Sequence, residues 1–102
     1  MVDVLENRRA AIAQACVRFG VARLDIFGSA LRDDFRPGES DLDLLVDFSS
    51  DNPHDLVDAY FGLLDELRAV LAVKVDLVMV GAVKNRFIAA DIERTKQMLY
   101  AA

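Results

Sequence analysis

Three short apolar runs, separated by segments with helical periodicity, constrain the fold of this chain most. The runs VARLDIF, DLDLLVDF and VKVDLVMV occupy residues 21–27, 41–48 and 73–80. Apolar residues recur at helical spacing in the segments 3–19, 54–71 and 85–100. A further short helix, capped by Ser29, is expected after the first run. The order α-β-α-β-α-β-α predicts an α/β (α+β) fold, in which helices flank a small three-stranded sheet.

Composition narrows the class of protein. The 102 residues suit one domain, and 54% of them are apolar, which is enough for a core. A net charge of −5 argues against direct nucleic-acid binding through a basic surface. The single cysteine, Cys16, excludes an internal disulfide, and no apolar run has the length of a membrane span. We therefore expect a cytoplasmic protein without a signal peptide.

Two aspartates interrupt the second run. Side chains of a strand alternate between its faces, so Asp41 and Asp43 are expected on one side. Two carboxylates so close repel each other unless a cation or a basic partner lies between them. Oxygen ligands of this kind suit Mg²⁺ or Mn²⁺. The alternatives are a solvent-facing strand edge and a Ser-Asp turn.

A third aspartate, Asp76, interrupts a run that is otherwise apolar except for Lys74. If the third strand lies beside the second, Asp76 reaches the same edge of the sheet. Three carboxylates on neighbouring strands can hold two divalent ions for in-line phosphoryl transfer. The alternative is an ion pair between Asp76 and Lys74 or another basic residue.

A Gly-Ser pair follows the first run and is a candidate phosphate cradle. Gly28 lets the backbone approach a ligand closely, and free N–H groups of the following turn can face an anion. Ser29 can donate to a phosphate oxygen or cap a helix, and Arg32 lies one turn further on. The alternatives are an ordinary turn with a cap for Gly28-Ser29 and a surface position for Arg32. No Walker A motif occurs in the chain.

The stretch GSALRDDFRPGESDLDLLV resembles the signature of the nucleotidyltransferase superfamily that includes DNA polymerase beta, and most closely that of its minimal nucleotidyltransferases (MNT). The resemblance implies a mixed sheet and assigns catalysis and metal binding to three residues: Asp41, Asp43 and Asp76. It assigns nucleotide binding to four others: Gly28, Ser29, Arg32 and Ser40. At one position the chain departs from the family, because Asp33 stands where a glycine often follows the arginine.

The same resemblance implies a function. Minimal nucleotidyltransferases are usually encoded beside a helical HEPN protein, a ribonuclease toxin. We therefore expect an antitoxin that moves AMP from ATP to a tyrosine of such a toxin, with two Mg²⁺ or Mn²⁺ ions and in a hetero-oligomer. The acceptor site must then come from a partner, a second copy or the exposed flank of the sheet. A non-catalytic binding module of the same fold and a transferase acting on a small molecule, such as an antibiotic, remain the alternatives.

Overall fold

Helices and strands alternate along the chain with short connections. The computed structural model describes residues 3–31, 36 and 39–102. In chain order the elements are α1 (Asp3–Glu6), α2 (Arg9–Arg18), β1 (Val21–Phe27), a 3₁₀ helix (Gly28–Leu31), β2 (Leu42–Phe48), α3 (Pro53–Leu71), β3 (Val75–Met79), α4 (Arg86–Thr95) and β4 (Gln97–Ala101). The mixed α+β architecture expected from the sequence is confirmed, but the sheet has four strands rather than three.

The strands form one sheet in the order β3-β2-β1-β4. β1 runs antiparallel to both β2 and β4, whereas β2 and β3 are parallel. The carboxyl end of β1 therefore meets the amino ends of β2 and β3 at one edge of the sheet. The described residues with a predicted role lie in the loops and at the strand ends on that side of the sheet.

One face of the sheet is covered by α2 and α3 and holds the core. Leu24 and Ile26 of β1 and Leu44 of β2 are fully buried. They belong to one hydrophobic cluster with Ile12 of α2 and Leu67 of α3. Because burial of one such side chain contributes about 1.5–3 kcal/mol, this cluster anchors the sheet that carries the site.

α4 lies on the opposite face of the sheet. Ile92 is buried and borders a small pocket together with Leu45 of β2. Leu45 is the register partner of Asp25 in β1, so both side chains lie on this face. Lys96, directly after α4, reaches the same aspartate. The helix is thus held over the β1–β2 pair by apolar and ionic contacts.

Asparagine side chains start the two longer helices that follow β2 and β3. Asn52 accepts hydrogen bonds from the backbone N–H groups of His54 and Asp55, at 3.0 and 3.4 Å, before α3. Asn85 caps α4 in the same way, and such caps contribute about 1 kcal/mol each. None of the helices in the described ranges is long and apolar enough to cross a membrane.

The first helical segment, expected as one helix over 3–19, is divided. α1 ends at Glu6 and α2 begins at Arg9, with a turn closed by the Arg8 N–H on the Leu5 carbonyl at 3.2 Å. Asn7 lies in this turn, and asparagine favours turns over helix interiors. Gly20, with a φ of +69°, ends α2 as expected.

The carboxyl-terminal segment corrects the expected fold. A helix over 85–100 was expected, but α4 ends at Thr95 and the next residues form β4. Lys96 has an extended backbone, with φ −58° and ψ 150°, and turns the chain back along β1. Pairing with β1 satisfies backbone groups that the open side of β1 would otherwise expose. This tertiary contact overrides the helical spacing of the local sequence.

Side chains of α3 cover the outer edge of β3. The Tyr60 hydroxyl donates to the Leu77 carbonyl at 2.6 Å. A guanidinium N–H of Arg68 donates to the Val75 carbonyl at 3.4 Å. An edge strand whose carbonyl groups are already hydrogen-bonded is a poor template for another strand.

Candidate active site

Asp43 lies at the centre of the edge where three strands meet. It is the second residue of β2, and its register partners are Phe27, the last residue of β1, and Asp76, the second residue of β3. Register partners place their side chains on the same face of a sheet. The structure therefore brings Asp43 and Asp76 together on one face, as the sequence predicted. Asp43 is half-buried and Asp76 is exposed.

Gly28 packs directly against the carboxylate of Asp43. Its φ is +74°, in the left-handed region that favours glycine. A Cβ atom placed on Gly28 would lie 3.1 Å from Cγ of Asp43 and closer still to Oδ2. Both the conformation and the available space thus require glycine here. This contact joins the predicted cradle to the predicted carboxylate.

The residues around Gly28 differ in how far the structure describes them. Ser29 lies inside the 3₁₀ helix that begins at Gly28, so it is not the residue preceding a helix that was expected as a cap. Arg32 and Asp33 lie outside the described residues. The nucleotide-binding roles of Ser29 and Arg32 stay predictions.

Ser40 closes a turn immediately before the aspartates. Its hydroxyl accepts a hydrogen bond from the Arg36 N–H at 3.2 Å, and its own N–H donates to the Arg36 carbonyl at 2.8 Å. The side chain therefore has a local structural task whether or not it also contacts a phosphate. Its nucleotide-binding role stays a prediction.

Asp41 stands one residue before β2, which begins at Leu42 rather than at 41 as expected. Strand alternation therefore does not fix the direction of its side chain. It is exposed and borders a pocket of about 600 Å³ together with Arg68 and Lys74. Two basic side chains of the chain thus lie at the same end of the sheet as the aspartates.

Carboxylate oxygens are ligands that divalent cations prefer, and one pair, Asp43 and Asp76, also lies on adjacent positions of neighbouring strands. Neighbouring strands lie about 4.8 Å apart, so one cation above β2 and β3 can reach both Asp43 and Asp76. Within the residues described, no three His, Cys, Asp or Glu side chains are already gathered closely enough to hold a metal. The same residues show no ion pair between Asp76 and Lys74, the alternative considered for Asp76.

Comparison with known proteins places this geometry in a family. The sequence profile of the nucleotidyltransferase domain matches residues 9–99, nearly the whole chain. The chain belongs to this family. A relative from Methanocaldococcus jannaschii, provisionally named a protein adenylyltransferase, is 36% identical over 91 residues, which cover 89% of this chain and 86% of the relative.

Solved structures agree with the family. One, provisionally described as a minimal nucleotidyltransferase, is 32% identical, with a TM-score of 0.76 over 94% of this chain and 95% of the other. Another holds tri-AMPylated HEPN toxin from Shewanella oneidensis in complex with MNT antitoxin. It matches with a TM-score of 0.64 over 96% of this chain and 73% of that chain, and its 16% identity shows a shared fold alone. The expected nucleotidyltransferase fold and family are thereby confirmed.

Sequence reasoning about this nucleotidyltransferase missed one buried charge, Asp25. Its carboxylate accepts hydrogen bonds of 3.0–3.1 Å from the Arg23 guanidinium, and the Lys96 ammonium lies 3.7 Å away. The hydrogen bond from Arg23 to Asp25, reinforced by charge attraction, raises the pKa of Arg23 above its usual value. This network ties β1 to the junction of α4 and β4. The available signal was a lone acid inside the apolar run VARLDIF.

Proposed function

We propose that this nucleotidyltransferase transfers AMP from ATP to a hydroxyl group of a HEPN-like partner protein, as the antitoxin of a toxin–antitoxin pair. The observation that carries the proposal is the position of Asp43, between the backbone of Gly28, which packs on its carboxylate, and a second carboxylate on the next strand. The name of the Methanocaldococcus jannaschii relative and the AMPylated toxin in the structural neighbour support adenylyl transfer to protein.

Two groups of residues carry the chemistry in this proposal. Asp41, Asp43 and Asp76 hold two divalent cations, Mg²⁺ or Mn²⁺. When bound, these ions supply neutralisation of the triphosphate charge and a lowered pKa of the acceptor hydroxyl.

The second group binds the triphosphate. It comprises four residues that lie between β1 and β2 in the sequence: Gly28, Ser29, Arg32 and Ser40. The backbone at Gly28 lies against Asp43, so a phosphate bound to this turn stands beside the carboxylates.

The transfer itself needs no covalent enzyme intermediate. The acceptor oxygen forms a bond to the α-phosphorus, and the bond from that phosphorus to the bridging oxygen of pyrophosphate breaks. A carboxylate oxygen of Asp76 takes the hydroxyl proton and passes it to water. The exposure of Asp76 supports this role, because the acceptor arrives from another protein.

The test is the intact mass of a HEPN-like neighbour co-expressed with this chain or its variants. Asp43→Asn removes one carboxylate of the site, and Asp47→Asn serves as a matched control on the same strand, at an exposed position. We expect the partner to gain one or more AMP units with the native chain and with Asp47→Asn, but none with Asp43→Asn.

Equal AMP addition by Asp43→Asn would refute the catalytic assignment. A stable complex without added mass from the native chain would make the protein a binding antitoxin instead. Removal of divalent ions with EDTA should abolish AMP addition and leave complex formation intact.

A further inference from the structure

A pocket of about 550 Å³ opens beside Gly28, between the end of β1, the start of β4 and α4. Strand order places it on the side of the site away from Asp76, because β1 separates it from β2 and β3. Its volume falls within the range of about 300–1,000 Å³ that is typical of small-molecule sites. A ligand bound at Gly28 can therefore extend into it.

The walls of this pocket are largely apolar. Phe27 and Ile92 line it from the sheet and from α4, and Ile88 lines it one turn earlier on the same stripe of the helix. Ile92 is buried against the sheet, whereas Ile88 is 54% exposed. The stripe that packs α4 onto the sheet thus continues into the pocket, where a flat apolar ring would cover it.

Polar groups lie at the β4 end of the pocket. The Thr95 hydroxyl is occupied, since it donates to the Asp91 carbonyl at 2.8 Å. Gln97 borders the pocket at the start of β4, but it pairs with Ile26, so its side chain lies on the face of the sheet that α2 and α3 cover. The pocket therefore offers a ligand mainly an apolar surface.

We propose that this pocket binds the nucleobase of the nucleotide, with the flat ring against Ile88 and Phe27. The inference rests on the proposed function, because it needs a nucleotide whose phosphates lie at Gly28. It assigns the opposite side of the site, beside Asp76, to the acceptor.

The test compares two pocket variants with a neighbouring control. Ile88→Ser removes part of the apolar wall and Ile88→Asn replaces it by a polar amide, both at an exposed position. Phe87→Ser is the control, since Phe87 is 74% exposed on the same helix and does not line the pocket. Calorimetry in the presence of Mg²⁺ gives the dissociation constants of α,β-methylene ATP and of inorganic tripolyphosphate, and thermal denaturation checks that each variant folds.

We expect each pocket variant to bind the ATP analogue roughly tenfold more weakly, the effect of a partly lost apolar contact. Affinity for tripolyphosphate should not change, and Phe87→Ser should match the native chain for both ligands. Unchanged analogue affinity in both pocket variants would overturn the inference. So would an equal loss of tripolyphosphate affinity, because the variants would then act on the phosphate site.

Two further outcomes separate this inference from the proposed function. If AMP transfer falls while affinity for the analogue is unchanged, the pocket binds the acceptor and the inference is wrong. If the native chain binds neither ligand, the proposed nucleotide chemistry fails with it. Nucleotide binding by the native chain with unaffected pocket variants would refute the nucleobase pocket alone.

Discussion

Replacement of Gly28 by alanine tests the contact that organises the site. The backbone at Gly28 has a φ of +74°, and the added Cβ would lie 3.1 Å from Cγ of Asp43 and closer to one carboxylate oxygen. The substitution therefore imposes backbone strain and also displaces the carboxylate. A second glycine allows the two effects to be separated. Gly20 has a nearly equal φ of +69°, but nothing lies within 4 Å of the position of its Cβ.

The expected magnitudes follow from these two environments. Gly20→Ala carries only the left-handed strain, about 1–2 kcal/mol. Gly28→Ala carries the same strain and must also push Asp43 out of its rotamer, at about 0.5–1.5 kcal/mol more. We expect the free energy of unfolding to fall by about 1–2 kcal/mol in the first variant and by about 1.5–3.5 kcal/mol in the second.

Activity should separate the variants more clearly than stability. A displacement of about 1 Å in a reacting group can cost about 100-fold in rate. Gly28→Ala should therefore lose about 100-fold or more in AMP transfer, whereas Gly20→Ala should keep the native rate at temperatures where it is folded. Urea denaturation gives the stabilities, and the mass of the partner protein gives the rates. If the two variants have equal stability and equal activity, the contact between Gly28 and Asp43 does not organise the site.

Two substitutions and one labelling experiment test the structure around the site. Asp25→Asn should lower the free energy of unfolding by about 2–3 kcal/mol in urea, less than a fully broken buried pair costs, because Lys96 keeps Glu93 as a partner; a loss below about 0.5 kcal/mol would show that the network contributes little. Burial raises the pKa of the Cys16 thiol to about 12, so a thiol reagent at pH 8 should label the unfolded chain but not the native one. Tyr60→Phe should cost about 1 kcal/mol by removing the donor to the β3 edge, and an unchanged urea midpoint would contradict that role.

The bounds of β1 could be read from the sequence because its limits are local. Gly20 and Gly28 flank the run of residues 21–27, and both adopt positive φ values that end regular structure. β3 was expected over 73–80 and is shorter, since Ala72, with a φ of 56°, carries the chain out of α3 and the strand begins only at Val75. The residues that flank a run therefore indicate where a strand lies, whereas the first residue of β3 depends on where α3 ends.

β4 could not be read in the same way. Ile88, Ile92, Thr95 and Leu99 have helical spacing, and this pattern continues through a segment that forms a strand. Residues 97–101 form a strand because they pair with the open side of β1, which lies about 70 residues earlier in the chain. A periodicity argument has no access to such a non-local contact. The missing strand also hid the pocket beside Gly28, because the segment that borders it at the start of β4 was assigned to a helix.

Asp25 and Asp43 show where sequence reasoning about the site reaches its limit. Each is an acid inside an apolar run, and each lies on the face of the sheet that α4 flanks. Asp25 has a structural role, because it forms ion pairs with Arg23 on its own strand and with Lys96, which follows α4. Asp43 instead lies at the end of the strand, with the backbone of Gly28 packed on its carboxylate. The run of sequence is alike in the two cases. The strand register and the placement of α4, both tertiary features, decide which aspartate is buried in an ion-pair network and which lies at the strand end, where we propose that it meets a ligand.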